Sequence, residues 1–258
     1  MLFRSQLIAI ADDGKAYPIP LSEIPLYSGL QMIQLRELLP NSAQERETRI
    51  IAQFLPPETP QDLILLTQQG RIKRLSHAEL AEPLSRRGIS LIKLKEGDSL
   101  SHACWGQEGG ELVIATSGGR LLRVSLTDEQ LPLMGRVAQG EKALRLRYGE
   151  SLIGCAVLAV TESLLLATQL GYLKRLPINT LRLAKLGDIG TQALQFSSQE
   201  DHLIGMAQVA PGRTANLVTN RQRTLSVAVD SVNLSGKDGT GELLAALKNG
   251  EMIVTLFV

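Results

Sequence analysis

The sequence predicts an all-β, propeller-like fold of about five four-stranded blades, and three observations carry that prediction. One phrase recurs about every fifty residues: TQQGRIKRL at Thr67–Leu75, TSGGRLLRV at Thr116–Val124 and TQLGYLKRL at Thr168–Leu176. Each copy follows a short apolar run and breaks at a two-residue turn, which is hairpin chemistry. No stretch sustains a 3.6-residue period between helix caps. A period near fifty residues suits one blade per repeat.

The elements of a repeat follow in order. First comes an apolar strand: QLIAIA, DLILLT, ELVIAT, SLLLAT or ANLVT. A tight turn then places Gly14, Gly70, Gly119 or Gly171 where φ is positive, with Gln222 in the fifth copy. A returning strand follows (RIKRLS, RLLRVS, YLKRLP, RTLSVA), then a looser Gly- and Arg/Lys-rich stretch. A third strand, ISLIKL, KALRLR or TQALQF, leads through a second turn (KEGDSL, RYGESL, QEDHL, KNGEMI) into a fourth, such as IGCAVLAV. LSHAELAEP and LRELLPNSAQERET have room for a helical turn. The expected organisation is a single domain, 1–258, with repeats at roughly 1–59, 60–109, 110–160, 161–211 and 212–258.

Composition narrows the class. A hydrophobic fraction of 44% excludes a mainly disordered chain, and 3% aromatics leave Leu, Ile and Val to fill the core. Cys104 and Cys155 are too few for a disulfide framework or a zinc site. The opening MLFRSQLIAIADDGK is too short an apolar run for a signal peptide, and no segment is long enough to span a bilayer. The expectation is a soluble cytoplasmic protein with no membrane partner, no metal and no cofactor.

A net charge of +1 does not announce a nucleic-acid binder, so the cations are judged by position. The fourth residue after the turn glycine is Arg74, Arg123 or Arg175; Lys73 and Lys174 precede it, and Arg71 and Arg120 open the strand. A second basic position lies in the looser loop: Arg86 and Arg87, Arg136, Lys185 and Lys237, each followed closely by Gly. Such glycines let backbone amides approach an anion. Repeats around an axis would bring these cations to one rim, where regular spacing suits the phosphates of duplex DNA. The first sixty residues hold seven acids against five bases, so the belt should be weak there. No recognition helix is evident, and base readout should be small. The competing reading of any one cation is a solvated strand end paired with Glu or Asp; recurrence in register weighs against it for Arg74, Arg123 and Arg175 as a set.

These phrases, with DDGKAYPIPLSEIP, SRRGISLIKLKEGDSL and LSGKDGTGELLAALKNGE, resemble the C-terminal domain of the A subunit of bacterial type IIA topoisomerases, DNA gyrase and topoisomerase IV. The style of DEQLPLMGR and LGDIGTQALQF is similar to cyanobacterial members, and the resemblance covers essentially the whole chain. It implies a β-pinwheel whose blades exchange strands and whose rim binds and bends or wraps duplex DNA, presenting it to the catalytic core of the A subunit in a nucleoid-associated, ATP-dependent enzyme. Nothing here matches that core's catalytic tyrosine or winged helix, so the chain itself should be non-catalytic. Gyrase carries a QRRGGKG-type box in its first blade; SRRGISL at Ser85–Leu91 keeps Arg-Arg-Gly and loses the later Lys-Gly. That departure leaves two readings, a piece beginning one blade late or a five-blade form nearer topoisomerase IV.

Other chemistry finds no support. His77, His102 and His202 lack partners at ligand spacing, and SGKDGTG lacks the Walker frame. The alternative to a DNA-binding domain is a propeller scaffold that binds proteins.

Overall fold

The recurring apolar runs form the strands that their sequence predicts. The computed structural model describes residues 6–25, 35–81, 85–158 and 162–258. In chain order the strands are β1 (Gln6–Ala11), β2 (Lys15–Pro20), β3 (Ile50–Phe54), β4 (Asp62–Thr67), β5 (Arg71–Leu75), β6 (Ile89–Ser90), β7 (Leu100–Gly106), β8 (Glu111–Thr116), β9 (Arg120–Ser125) and β10 (Glu141–Lys142). They continue with β11 (Leu152–Leu158), β12 (Ser163–Thr168), β13 (Tyr172–Pro177), β14 (Thr191–Gln192), β15 (Leu203–Val209), β16 (Thr214–Thr219), β17 (Thr224–Ala228), β18 (Glu242–Leu243) and β19 (Ile253–Phe257). Helical turns fall at Leu35–Leu38, Asn41–Glu45 and Ala78–Ala81, within the two segments expected to hold them, and three more, not expected from the sequence, follow returning strands at Leu21–Glu23, Ile178–Thr180 and Val229–Ser231; residues 82 and 83 of LSHAELAEP, like residues 159 and 160 at the end of IGCAVLAV, lie outside the described residues.

Five small antiparallel sheets result, ordered β3-β1-β2-β6, β10-β5-β4-β7, β11-β8-β9-β14, β15-β12-β13-β18 and β17-β16-β19. This all-β, propeller-like arrangement agrees with the sequence, with one correction. The third strand of a repeat is only two residues long and pairs with the sheet of the preceding repeat: Ser90 lies opposite Lys15, Gln192 opposite Arg120, and Glu242 opposite Leu173. The fifth sheet has three strands among the described residues. The chain separates into two compact units, 1–108 with 131–141, and 109–130 with 142–258. The loop 131–141 thus groups with the repeat before its own.

Glycine makes the crossing possible. Gly140 and Gly241 have φ of 80°, and a Cβ there would stand 2.4 Å from the Ile72 carbonyl oxygen and 2.5 Å from that of Leu173. Only a residue without a side chain lets the incoming loop lie against the sheet.

The hairpin turns share one closure. The amides of Gly70, Gly119 and Gly171 donate to the carbonyls of Thr67, Thr116 and Thr168 at 3.0–3.1 Å. The same threonines accept, through Oγ1, the amides of Arg71, Arg120 and Tyr172 at 3.1–3.3 Å. Each threonine is buried beside a bulge in its sheet, so the hydroxyl supplies a bond missing from the ladder. Gln222 adopts φ 60° in the fifth copy.

Period-two alternation builds the cores. In the second unit Leu164 and Leu166 pack with Val113, Ala115 and Leu121, while Leu165 and Ala167 on the same strand face Ala215 and Leu217. A strand apolar on both faces is therefore sandwiched between neighbouring sheets. In the first unit Ile8, Ile10 and Ala16 meet Leu63, Leu65 and Leu75. Full burial of each such Leu or Ile contributes about 2 kcal/mol.

Candidate nucleic-acid interface

The cations on the returning strands are enclosed rather than displayed. Arg74, only 1% exposed, donates from Nε to Asp62 Oδ2 at 2.7 Å and from Nη2 to Glu108 Oε2 at 3.2 Å. Arg123 grips Glu111 with Nε and Nη2 and gives Nη1 to the Leu181 carbonyl at 2.7 Å. Arg175 pairs with Asp230 at 3.2 Å. Arg120 is clamped bidentately by Glu150 and also reaches the carbonyls of Ile189 and Arg145, while Arg71 reaches the Gly140 carbonyl at 2.9 Å. The Lys73 ammonium is fully buried and donates to the carbonyls of Leu91 at 2.7 Å and Ala138 at 3.3 Å. Lys174 repeats this arrangement on Ala193, Lys237 and Gly239 at 2.9–3.1 Å.

The expected solvent-facing stripe is thereby corrected. Arg71, Lys73, Arg74, Arg120, Arg123, Lys174 and Arg175 are held by carboxylates and carbonyls, and for Arg71, Lys73, Arg120, Arg123 and Lys174 at least one of these carbonyls lies on the loop that crosses from the next repeat. The backbone joins in: the Arg74, Arg123 and Arg175 carbonyls accept the amides of Met134, Ala184 and Ser235 at 2.8–2.9 Å. Charges follow their surroundings. Burial pushes Lys73 down to about 8, with the Glu79 charge opposing, and burial lowers Lys174 too. Burial also opposes the charge on Arg74, but Asp62 and Glu108 outweigh it and raise its pKa.

The loop cations are the displayed ones. Arg86 and Arg87 are exposed, with Arg86 paired to Glu23. Arg136 is 41% exposed and meets Glu79 at 3.0 Å. Lys185 and Lys237 are exposed. The crossing lays these loops beside a second row of cations on the strand-to-turn segments. In the first unit the Lys93 amide donates to the Ala138 carbonyl at 3.1 Å, joining the Arg136 loop to Lys93 and Lys95. In the second unit the Arg145 amide donates to the Asp188 carbonyl at 3.1 Å, joining the Lys185 loop to Arg145 and Arg147. The third equivalent bond, Gln195 to Gly239 at 3.0 Å, joins the Lys237 loop to neutral residues. Lys93, Lys95, Arg145, Arg147 and Lys248 are exposed and form no ion pair with the described residues.

A family model described as "DNA gyrase C-terminal domain, beta-propeller" matches residues 61–103, 110–159, 162–210 and 217–258. The chain belongs to the DNA gyrase C-terminal domain family. It is 42% identical to the A subunit of a DNA topoisomerase 4 from Synechocystis over 98% of its length, and 31% identical to the A subunit of a DNA gyrase from Aminobacterium colombiense over 75%. It spans 29% and 23% of those two relatives. The C-terminal domain of a DNA topoisomerase IV superposes over 99% of this chain and 79% of its own with a TM-score of 0.82 at 18% identity; a DNA gyrase A C-terminal domain does so over 99% and 83% at 0.80 and 21%. These likenesses confirm the fold.

Each of the four stretches matched by the family model begins at or near the first strand of a repeat, and three of them carry the cations of the second row. Sequence reasoning overlooked that row although a signal was present. In LIKLKEG and LRLRYGE the buried Ile92 and Leu144 alternate with exposed Lys93 and Arg145, a period of two that separates an inner from an outer face. Among the described residues no group of His, Cys, Asp and Glu could hold a metal, and no helix is long and apolar enough to cross a membrane.

Proposed function

We propose that this chain is a single, non-catalytic domain of a type IIA topoisomerase A subunit that binds duplex DNA with little regard to sequence and bends or wraps it. Its partners on this reading are duplex DNA and the catalytic core of the A subunit, at the nucleoid. The observation that supports it is the placement of displayed loop cations beside displayed turn cations, Arg136 with Lys93 and Lys95, and Lys185 with Arg145 and Arg147. Paired cation rows suit phosphates rather than base edges, and Arg adds a planar fork for phosphate oxygens. The additional phosphates that a curved duplex brings to these rows offset an elastic cost of about 1–6 kcal/mol for a 20–30 base-pair site. Arg86 and Arg87 add displayed cations to the first unit and Lys237 one to the second, and the buried strand cations act indirectly by fixing the loops.

The test is fluorescence anisotropy on a labelled duplex of about 40 base pairs across a salt series. Binding should fall steeply with salt and be alike on unrelated sequences. Reversal of Arg145, Arg147 and Lys185 to Glu should lower affinity and reduce the log–log salt slope by about 0.9 for each phosphate no longer neutralised. An unchanged slope would remove these residues from the surface. Absence of binding at low salt would favour a protein-binding scaffold.

A further inference from the structure

The aromatic residues are few, 3% of the chain, and most of those among the described residues are buried or half-buried. Tyr17 is buried and donates its hydroxyl to Asp13 at 2.7 Å, and Phe54 packs against Trp105 with ring centroids 5.6 Å apart. Tyr148 and Phe257 are exposed, Phe257 at 49% on β19 and Tyr148 fully, with a relative exposure of 107%. Tyr148 stands on the turn Arg147–Glu150, beside Gly149 at φ 76°. Equivalent turns place Glu96 before Gly97 and Asn249 before Gly250, so turn chemistry asks for a polar residue here, not an aromatic one.

The turn is held from beneath. The Arg120 guanidinium, 1% exposed, bonds the Arg145 carbonyl at 3.1 Å and the Glu150 carboxylate. Glu150 in turn accepts the Arg147 amide at 2.7 Å and the Thr116 hydroxyl at 3.2 Å. Burial acts against the Glu150 charge, yet the Arg120 bonds and the Arg147 amide together hold its carboxyl below the usual carboxylate range. The backbone under Tyr148 is thus ordered before any partner arrives, which lowers the entropic cost of using its ring. The ring is flanked by the exposed Arg145 and Arg147, with the Lys185 loop bonded alongside. A partner that satisfies cations and an aromatic face together is a polyanion carrying π faces, which is nucleic acid.

We propose that Tyr148 is a base-contacting residue that stacks on an opened base step, so that this repeat favours DNA whose stacking is already interrupted. The inference rests on the DNA-binding reading above. A continuous duplex hides its base faces, so the ring can stack only where a step is kinked or unpaired. Tyr148 touches nothing that the fold needs, so its substitution leaves the domain intact.

The experiment compares a continuous duplex of about 40 base pairs with the same duplex carrying a central two-nucleotide bulge. The unmodified chain, Tyr148→Ala and Tyr148→Phe are titrated on both by anisotropy. The expected result is tighter binding to the bulged duplex, a loss of about tenfold there for Tyr148→Ala, the scale of one stacked base, little change on the continuous duplex, and retention by Tyr148→Phe. Equal affinities of Tyr148→Ala and the unmodified chain on the bulged duplex would overturn the proposal, as would an equal loss on both duplexes. In either case salt-dependent binding to the continuous duplex would leave the DNA-binding reading standing. No binding of the unmodified chain to either duplex would end both.

Discussion

Replacing Lys73 by methionine should remove a gain in stability that the burial of this lysine predicts on going from neutral to alkaline pH. The Lys73 ammonium is buried against two backbone carbonyls with no carboxylate in contact. Burial moves its pKa from 10.5 to about 8. The unfolded state therefore binds more protons between those values, and stability must increase as pH rises through that window. Fully developed, the difference corresponds to about 3 kcal/mol. Neutral lysine still has two N–H donors for Leu91 and Ala138, so the hydrogen bonds survive deprotonation while the desolvation penalty disappears. Methionine keeps the length and apolar stem without titrating, and the equivalent position in the next repeat is the buried Leu122. Urea unfolding of both proteins at intervals from pH 7 to pH 10.5 measures the effect, and the difference between the two curves cancels the groups they share. The gap should move by about 3 kcal/mol in favour of the unmodified protein as pH rises. Parallel curves would refute the claim that a charged lysine is buried there.

Other perturbations test the remaining parts. Gly140→Ala and Gly241→Ala, which drive a Cβ to within 2.4–2.5 Å of a carbonyl oxygen at positive φ, should each cost about 2–3 kcal/mol in chemical denaturation. Gln222→Gly should stabilise by about 1 kcal/mol, because Gln222 holds φ 60° at a turn where the other repeats have Gly; a lower melting temperature would count against this. Glu79→Gln should strengthen DNA binding modestly by freeing Arg136 from its 3.0 Å ion pair, with the gain fading at high salt; weaker binding in the anisotropy assay would contradict this.

Much of the fold is legible in the sequence because its signals are local. The turn glycines, the apolar runs and the fifty-residue period each depend on neighbouring residues, and the hairpins fall where those signals place them. The exchanged strand is harder to read. Two residues such as Thr191 and Gln192 are assigned to a sheet about seventy residues upstream by a pair of backbone pairings and by the space above a glycine, neither of which leaves a periodic trace. The strand cations mislead for another reason, since recurrence in register fits loop anchoring as well as phosphate binding. A discriminating mark was available in Asp62 and Glu111, each twelve residues before its arginine. Across a hairpin that spacing is a same-face diagonal, close enough for an ion pair. Where Ser163 takes the place of the acid, Arg175 turns to Asp230 instead.

The loan of an edge strand from each repeat to the one before it has a consequence for how such chains lengthen or shorten. A cut at the sequence boundary between two repeats separates a sheet from its own fourth strand, so the inheritable cassette is not the sheet. A duplication keeps every edge paired if its break points fall at equivalent places in two repeats, because the copied loop then finds a copied hairpin in front of it. A deletion out of phase leaves one hairpin bare and one loop with nothing to join. The register of recombination is therefore written into the pairing of β6, β10, β14 and β18, and the number of sheets can change only by whole steps.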